Sequence, residues 1–401
     1  MEFHATTQAA LAAEAVLREL LAPELVPLFD ASFIRSYLIH DEFIHRLVLR
    51  VAIEAGLEGA TREPGTAEEI VRRAKLDTGR ALVPMDWILR LLAARGVLDE
   101  LPAGPAVRFC ARGSFPALDP APLREEQSRQ EPTALPAYVL AETVAREYPA
   151  FLRGEVLGED VLFSARRLRL WIDYFSNDNR LYAINNRVGA IAVEQWLAGH
   201  GPARVLELGG GLGSGALALL DRLETAGRLD AIAEYRFTEF VPAFLRRGEQ
   251  ALRARSRLPG RLTFALLDMN RPFAEQGVAA GSMSMIYAVN TLHVAHDLEF
   301  TLGEIRRALA ADGRLIASEC VRPRPRQPIY TEFVFNLTET FRSPRLDPVY
   351  RPTGGFLTPE QWKGAIEAAG FSDVCLLPDV VRIRELIPDF IVAAIGATRA
   401  R

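Results

Sequence analysis

Residues 203–215 read ARVLELGGGLGSG, and the fold is decided there. Val205, Leu206 and Leu208 form a short apolar run that predicts a buried strand over 203–208, and helical periodicity follows over 213–226. Between them, Gly209, Gly211 and Gly213 let the backbone turn sharply and approach a ligand with no Cβ in the way. Glu207 stands two residues before the first of these glycines. Dinucleotide phosphates seat against the N-terminus of such a helix, where an acid is unwelcome. Glu207 therefore favours a ligand that carries an ammonium group and no phosphate.

Downstream, strands are predicted at 235–240, 261–268, 283–289 and 313–319, with helices near 241–255, 298–310 and 359–369. Strand and helix in alternation predict a parallel sheet with right-handed crossovers. Two further strands, 371–377 and 389–397, are joined by a short connection and read as an edge hairpin. The fold class is α/β: a Rossmann-like sheet of seven strands with helices on both faces.

Upstream the chain is helical. Apolar residues recur at helical spacing over 8–22 and 31–56, a surplus that predicts a partner surface. Over 64–110 come a Pro64-Gly65 turn, Thr66 with Glu69 at capping-box spacing, a helix, a turn at 78–80, and a second helix stopped by Gly96. Val97-Leu98, a turn at 102–105 and AVRFCARG complete a winged-helix order. Its second helix offers only Arg80, Arg90 and Arg95 to nucleic acid, so dimerisation is the favoured role. Residues 115–135, rich in Pro and Glu, read as a linker, and helices resume at 134–152 and 163–199. The domains expected are 1–115, winged-helix-like and dimerising; 116–200, a helical linker and lid; and 201–401, the α/β domain. The expected assembly is a homodimer through residues 1–110.

The 401 residues are 49% hydrophobic and 24% charged, with a net charge of −4, which excludes disordered and collagen-like chains and gives no basic excess for nucleic acid or an anionic membrane. Cys110, Cys320 and Cys375 lie far apart and read as reduced thiols in a cytoplasmic protein. No secretory signal or membrane-spanning stretch is expected.

S-adenosylmethionine has the ammonium group and lacks the phosphate. Glu207 to Gly213, as E-x-G-x-G-x-G, resembles the first motif of class I S-adenosylmethionine-dependent methyltransferases. The resemblance covers about 203–397. It implies that Glu207, Gly209, Gly211 and Gly213 hold the cofactor, that Glu239 at the end of the second strand binds the ribose hydroxyls, and that Asp268 and Met269 after the third meet the adenine. Asn290 ends the fourth strand and joins this set. Three alternatives stay open: Glu207 as a surface acid, Glu239 as a helix cap, and Asp268 as a turn former before Asn270 and Pro272.

The methyl acceptor is sought after the fourth strand, in Asn290-Thr291-Leu292-His293-Val294-Ala295-His296-Asp297. A His after strand four and Glu319 at the end of strand five resemble the His–Glu pair of carbon-methylating domains of polyketide synthases. The segments EFVFNLTETFR (332–342) and RPTGGFLTPEQWKGAIEAAGF (351–371) continue that resemblance. The upstream module departs from it and looks more like the dimerisation domain of small-molecule O-methyltransferases. His293 is the favoured base and Glu319 its partner, for C-methylation of a keto or polyketide-like small molecule. His296 competes for the role of base or touches the substrate. O-methylation of a phenol, enol or carboxylate is the alternative, followed by a non-catalytic winged-helix regulator. Tyr182 and Asn186 line the acceptor pocket or merely pack. Arg322, Arg324, Arg326, Arg342 and Arg345 suggest a carboxylate-bearing acceptor, with Arg342 as the contact, or else a solvated loop. A metal held by the two histidines with Glu319 or Asp297 is a lesser alternative, and none is expected. HDEFIH (40–45) lacks the i, i+4 histidine spacing of a zinc helix.

Overall fold

The computed structural model describes residues 2–103, 106–255, 258 and 260–400. Gly104 and Pro105, half of the turn expected at 102–105, lie outside the described residues. The chain forms two compact units, one of residues 1–11, 31–174 and 326–342, the other of 12–30, 175–325 and 343–401.

Helix α1 (Glu2–Leu20) opens the chain. The first unit then contains α2 (Ala31–Glu54), α3 (Ala67–Arg73), α4 (Thr78–Ala94), the hairpin β1 (Leu98–Ala103) and β2 (Ala106–Ala111), α5 (Ala121–Gln130), α6 (Leu135–Leu152) and α7 (Leu168–Tyr174). The capping box forms: Glu69 N–H donates to Thr66 Oγ1 at 3.2 Å and Thr66 N–H to Glu69 Oε2 at 2.9 Å. The turn expected at 78–80 is instead the first turn of α4. Asp77 caps it by accepting from Arg80 N–H at 2.9 Å, so the helix begins before Gly79 can act as a breaker. The arginines of α4 are committed within the unit: Arg80 to the carbonyls of Gly154 and Val156, Arg90 to Asp86 and Glu100, Arg95 to Asp41 and Glu42.

The expected linker is also corrected. Residues 121–130 form α5, which buries Leu123, Glu126 and Gln127. Gln127 Nε2 donates to Ser36 Oγ of α2 at 3.0 Å, and Tyr138 of α6 donates to Gln127 Oε1 at 3.1 Å. The apolar face of α2, with Phe43, Leu47, Val48 and Val51 fully buried, packs against α5 and α6 of the same chain. That burial removes the reason for which α2 called for a second copy.

The second unit holds α8 (Arg180–Leu197), β3 (Ala203–Leu208), α9 (Ser214–Thr225), β4 (Ile232–Glu239), α10 (Pro242–Arg255), β5 (Leu262–Leu266), β6 (Met283–Val289), α11 (Leu298–Ala308), β7 (Leu309–Cys320), α12 (Pro359–Ala368), β8 (Phe371–Leu377) and β9 (Val392–Arg399). The seven-stranded sheet has the order β5-β4-β3-β6-β7-β9-β8. Strands β3 to β7 are mutually parallel, and β9 runs antiparallel between β7 and β8 as the expected edge hairpin. Val205, Leu219, Tyr235, Phe237, Met285 and Tyr287 form its core with Val193 and Leu197 of α8. The helix expected over 163–199 is broken between Tyr174 and Arg180. There Ser176 Oγ accepts from Asp178 N–H at 3.1 Å, a local side-chain bond of the kind that competes with the helical ladder.

Candidate active site

In a parallel sheet all strand carboxyl ends share one edge, and ligands bind there. The first loop on that edge follows β3. Gly209 has φ +60° and a Cβ there would stand 2.1 Å from Thr291 Oγ1, so only glycine fits. Gly211 has φ +57° but no heavy atom within 4 Å of its would-be Cβ. Gly213 caps α9. The first requirement is packing, whereas the second leaves the loop crest open to a ligand.

Two acids lie beneath this loop. Glu207 is 1% exposed and accepts from Tyr235 O–H at 2.9 Å. Burial pushes its carboxyl up to about 8, with Glu239 adding to the rise, while Tyr235 and the Ala216 amide oppose it. Glu239 ends β4 and accepts from Gly211 N–H and Val241 N–H, each at 2.8 Å. Its carboxyl too is raised by burial, opposed by the amides of Val241, Gly211 and Phe240. Glu239 thus ties the glycine loop to Val241, the residue just before α10.

Asp268 forms the turn considered for it: Oδ1 accepts from Asn270 N–H at 2.9 Å. Met269 O accepts from Thr301 O–H at 3.0 Å, and Asn270 Oδ1 from His296 N–H at 2.7 Å. These bonds pull the loop after β5 against the segment after β6.

Asn290, at φ +47°, turns the chain sharply after β6. Its Oδ1 accepts from Asn185 Nδ2 at 2.8 Å and Cys320 N–H at 2.9 Å. The 3-10 turn Leu292–Val294 follows. His293 Nδ1 lies 2.7 Å from Glu319 Oε2, with the two residues 4% and 0% exposed. Glu319 Oε1 accepts from Thr291 N–H at 3.1 Å and Leu292 N–H at 2.8 Å. The carboxylate therefore fixes both the ring and the turn that carries it. It accepts from Nδ1–H, which leaves Nε2 as the basic nitrogen. The ring of His296 is exposed instead, and its carbonyl accepts from Arg345 N–H at 2.7 Å.

Tyr182 packs edge-on to Phe175 at 4.9 Å, and burial pushes its phenol up, with Glu207, Cys320 and Glu239 contributing. Asn186 is fully buried. Its Nδ2 donates to Asn177 Oδ1 at 2.8 Å, while Oδ1 has no hydrogen-bond partner among the described residues. Asn177 in turn donates to Ser214 O at 2.9 Å, and Ser214 Oγ donates to Phe175 O, so the broken-helix segment sits on the start of α9. Arg342 belongs to the first unit, where it donates to Thr338 O and Arg80 O and lies over the Phe151 ring. Arg322 donates to Thr353 and Gly354, and Arg345 pairs with Asp297. Among the described residues no cluster of three or more His, Cys, Asp or Glu is placed to hold a metal.

Sequence reasoning missed Arg351 and Phe356. Arg351 donates to the carbonyls of His293 and Ala295 at 2.7 and 2.6 Å, and Phe356 lies 4.2 Å from the His293 ring. The segment RPTGGF (351–356) was visible as a resemblance, but nothing in its spacing announced contact with a histidine sixty residues earlier.

A family model described as a methyltransferase domain matches residues 206–315. Two solved structures share the fold over nearly the whole chain. The CurJ carbon methyltransferase aligns with a TM-score of 0.78 at 21% identity, covering 97% of this chain and 99% of that one. The DszA carbon methyltransferase aligns at 0.71 and 22%, covering 98% and 95%. Residues 206–315 are thus a methyltransferase domain, and the chain around them shares the fold of these two proteins. The upstream module, expected to depart from the carbon-methylating domains, falls within both alignments. Highly reducing polyketide synthase 2 of Gibberella zeae is 32% identical over 263 residues, 62% of this chain and 9% of that protein. The methyltransferase thus spans only a small part of the curated relatives it matches. No helix among the described residues is long and apolar enough to cross a membrane.

The trans-methyltransferase CalH, which shares the fold at a TM-score of 0.59 and 17% identity over 92% of each chain, is described in complex with S-adenosylhomocysteine. The open crest at Gly211, the acids beneath it and the unpartnered acceptor of Asn186 fit a ligand rich in hydrogen-bond donors and bearing positive charge. If Glu239 also takes the ribose hydroxyls, Glu239→Ala weakens S-adenosylhomocysteine binding by about 1.5–3 kcal/mol in calorimetry. Unchanged affinity assigns Glu239 to the loop alone. Glu207 gives a pH signature. Its folded value, about 8, lies above the ordinary 4.5, so the folded state holds a proton that the unfolded state has lost between those values. Stability of the ligand-free protein therefore falls as pH rises through that window, by up to about 1.4 kcal/mol per pH unit. Urea unfolding at pH 5.5 and 7.5 is expected to show this slope in the wild type and a flatter one in Glu207→Gln.

Proposed function

We propose that this methyltransferase alkylates an acidic carbon of a keto or polyketide-like small molecule, with His293 as the base. The observation that carries the reading is the buried bond between His293 Nδ1 and Glu319 Oε2 at 2.7 Å. Its similarity to proteins described as carbon methyltransferases and to a polyketide synthase points the same way. Phenols and carboxylates ionise readily in water, whereas a carbon acid gains more from a positioned base. A neutral imidazole whose tautomer is locked by a carboxylate supplies one, by the logic of the second half of a hydrolase triad.

A carbon between two carbonyl groups gives its proton to His293 Nε2, and the C–H electron pair becomes the enolate. Glu319 stabilises the imidazolium that results. Bound S-adenosylmethionine would supply the electrophilic methyl group: the enolate carbon would bond to it as the methyl–sulfur bond breaks, with the electron pair leaving on sulfur as S-adenosylhomocysteine. His293 then returns the proton to solvent. Glu239 holds the glycine loop through Gly211 N–H, Glu207 is the second acid assigned to the cofactor, and Tyr182 and Asn186 of α8 are assigned to the acceptor side. Asp268, Met269 and Asn290 complete the cofactor side of this reading. His296 is exposed and Arg342 is engaged elsewhere, so neither is given a catalytic part.

A 3-ketoacyl thioester of a simple thiol is a suitable probe of the acceptor class. His293→Ala is expected to lose about 10²–10⁴-fold in turnover while keeping its affinity for S-adenosylhomocysteine. Glu319→Gln loses somewhat less, and the double variant loses far less than the product of the two. Near-wild-type turnover in His293→Ala would sink the base and leave O-methylation by proximity as the better account.

A further inference from the structure

Arg351 is a buried cation that the proposed chemistry leaves unused. It is 1% exposed, and its two terminal nitrogens donate to His293 O at 2.7 Å and Ala295 O at 2.6 Å. Its Nε has no partner among the described residues, and no carboxylate there hydrogen-bonds the guanidinium. Burying a charge in this way is costly, because neutral carbonyls offset less of the lost hydration than an anion would. Two carbonyls, one inside a 3-10 turn and one just past its end, could be met by water or by neutral side chains. A rigid fork that reaches both at once needs arginine.

The same turn is gripped from its other end. Glu319 holds Thr291 N–H, Leu292 N–H and the His293 ring, and Phe356 lies on the ring at 4.2 Å with a 37° tilt. Arg351 is itself seated by paired backbone bonds with Asp347, at 2.9 and 3.0 Å. The imidazole is thereby fixed at Nδ1, on its face and through its own carbonyl. Only the last of these holds the main chain at the residue that carries the ring.

We propose that Arg351 is a positioning residue for the base, holding the His293 main chain so that Nδ1 stays on Glu319 and Nε2 keeps one direction. This rests on the reading of His293 as the base. A positioning role of this kind is worth about 10²-fold in rate for an ångström of misplacement. A cleft of about 40 Å³, lined by Asp297, Arg345, Asp347, Tyr350 and Arg351 itself, is enlarged when the Arg351 side chain is cut back to alanine, which gives a free guanidinium ion a way in.

The test uses the full chain, with Arg351→Lys and Arg351→Ala assayed on the 3-ketoacyl thioester and by nitrogen NMR of labelled imidazoles, the His293 signal being identified by its loss in His293→Ala. Arg351→Lys is expected to bind S-adenosylhomocysteine as the wild type does, to keep KM, and to lose about 10²-fold in kcat. Millimolar guanidinium should restore part of kcat in Arg351→Ala. The His293 ring should carry its proton on Nδ1 in the wild type and populate both tautomers in the variants. In a His293→Ala background, Arg351→Lys should cost nothing further. Wild-type kcat and tautomer in both variants overturn the inference. So does an equal loss in the His293→Ala background, or lost cofactor affinity in both variants, which makes Arg351 a general structural residue. The base reading fails separately, through a wild-type ring protonated on Nε2 or an active His293→Ala, and takes this inference with it.

Discussion

One carboxylate organises the edge of the sheet where chemistry is possible. Glu319 stands near the end of β7, and the parallel pairing of Val289 with Ser318 brings the residues after β6 beside it. Its oxygens take two backbone N–H groups and an imidazole N–H. Without that acceptor, three donors would be left in a space from which water is excluded, each at a cost of about 1–3 kcal/mol. The turn at 291–294 thus keeps its shape because Glu319 is there. Asn290 enforces the approach, with a left-handed backbone held by Asn185 of α8 and by the Cys320 amide.

The cofactor edge runs on a different balance. Glu207 and Glu239 are both buried, and burial raises both. In the ligand-free protein each is therefore an expense of stability rather than a source of it. Their partners are chiefly hydroxyl and amide groups with no full positive charge. A cation arriving above the loop would reverse that sign, since an ionised carboxylate is favoured by a nearby positive charge. Ligand binding and acid ionisation are then linked, and the fold stores at Glu207 what binding recovers.

Much of this was legible in the sequence, and the reasons differ by element. The inner strands β3, β6 and β9 announce themselves because they are buried almost throughout and read as apolar runs. The glycine loop is legible because only glycine fits at Gly209. The pairing of His293 with Glu319 follows from topology once strands four and five are placed. What stayed hidden depends on contacts between distant segments. The composition of 121–130 is that of a linker, yet Gln127 and Glu126 dock it onto α2 through hydrogen bonds and an ion pair that no local pattern encodes. The break at 175–179 was overridden by the apolar periodicity on either side. Arg351 reads as a loop arginine until its carbonyl partners are seen.

The most distant of these contacts bears on how the chain divides. Residues 326–342 leave the α/β unit after β7, belong to the helical one, and return before α12. Within the helical unit, Glu332 accepts from Trp87 Nε1 at 2.8 Å across 245 residues of sequence, and also from Ile329 N–H at 3.1 Å. Phe333 stacks on Tyr148 at 4.9 Å, and Tyr330 meets His40 and Tyr37 edge-on. His40 is held near 3 by burial and so stays neutral among these rings. A cut near residue 200 would strip this cover and leave the Trp87 N–H without its acceptor. The helical unit is therefore not an independent module placed before a methyltransferase domain. Its core is finished by chain that is made after β7, so the helical unit is complete only once most of the chain exists, at the cost of closing so long a loop.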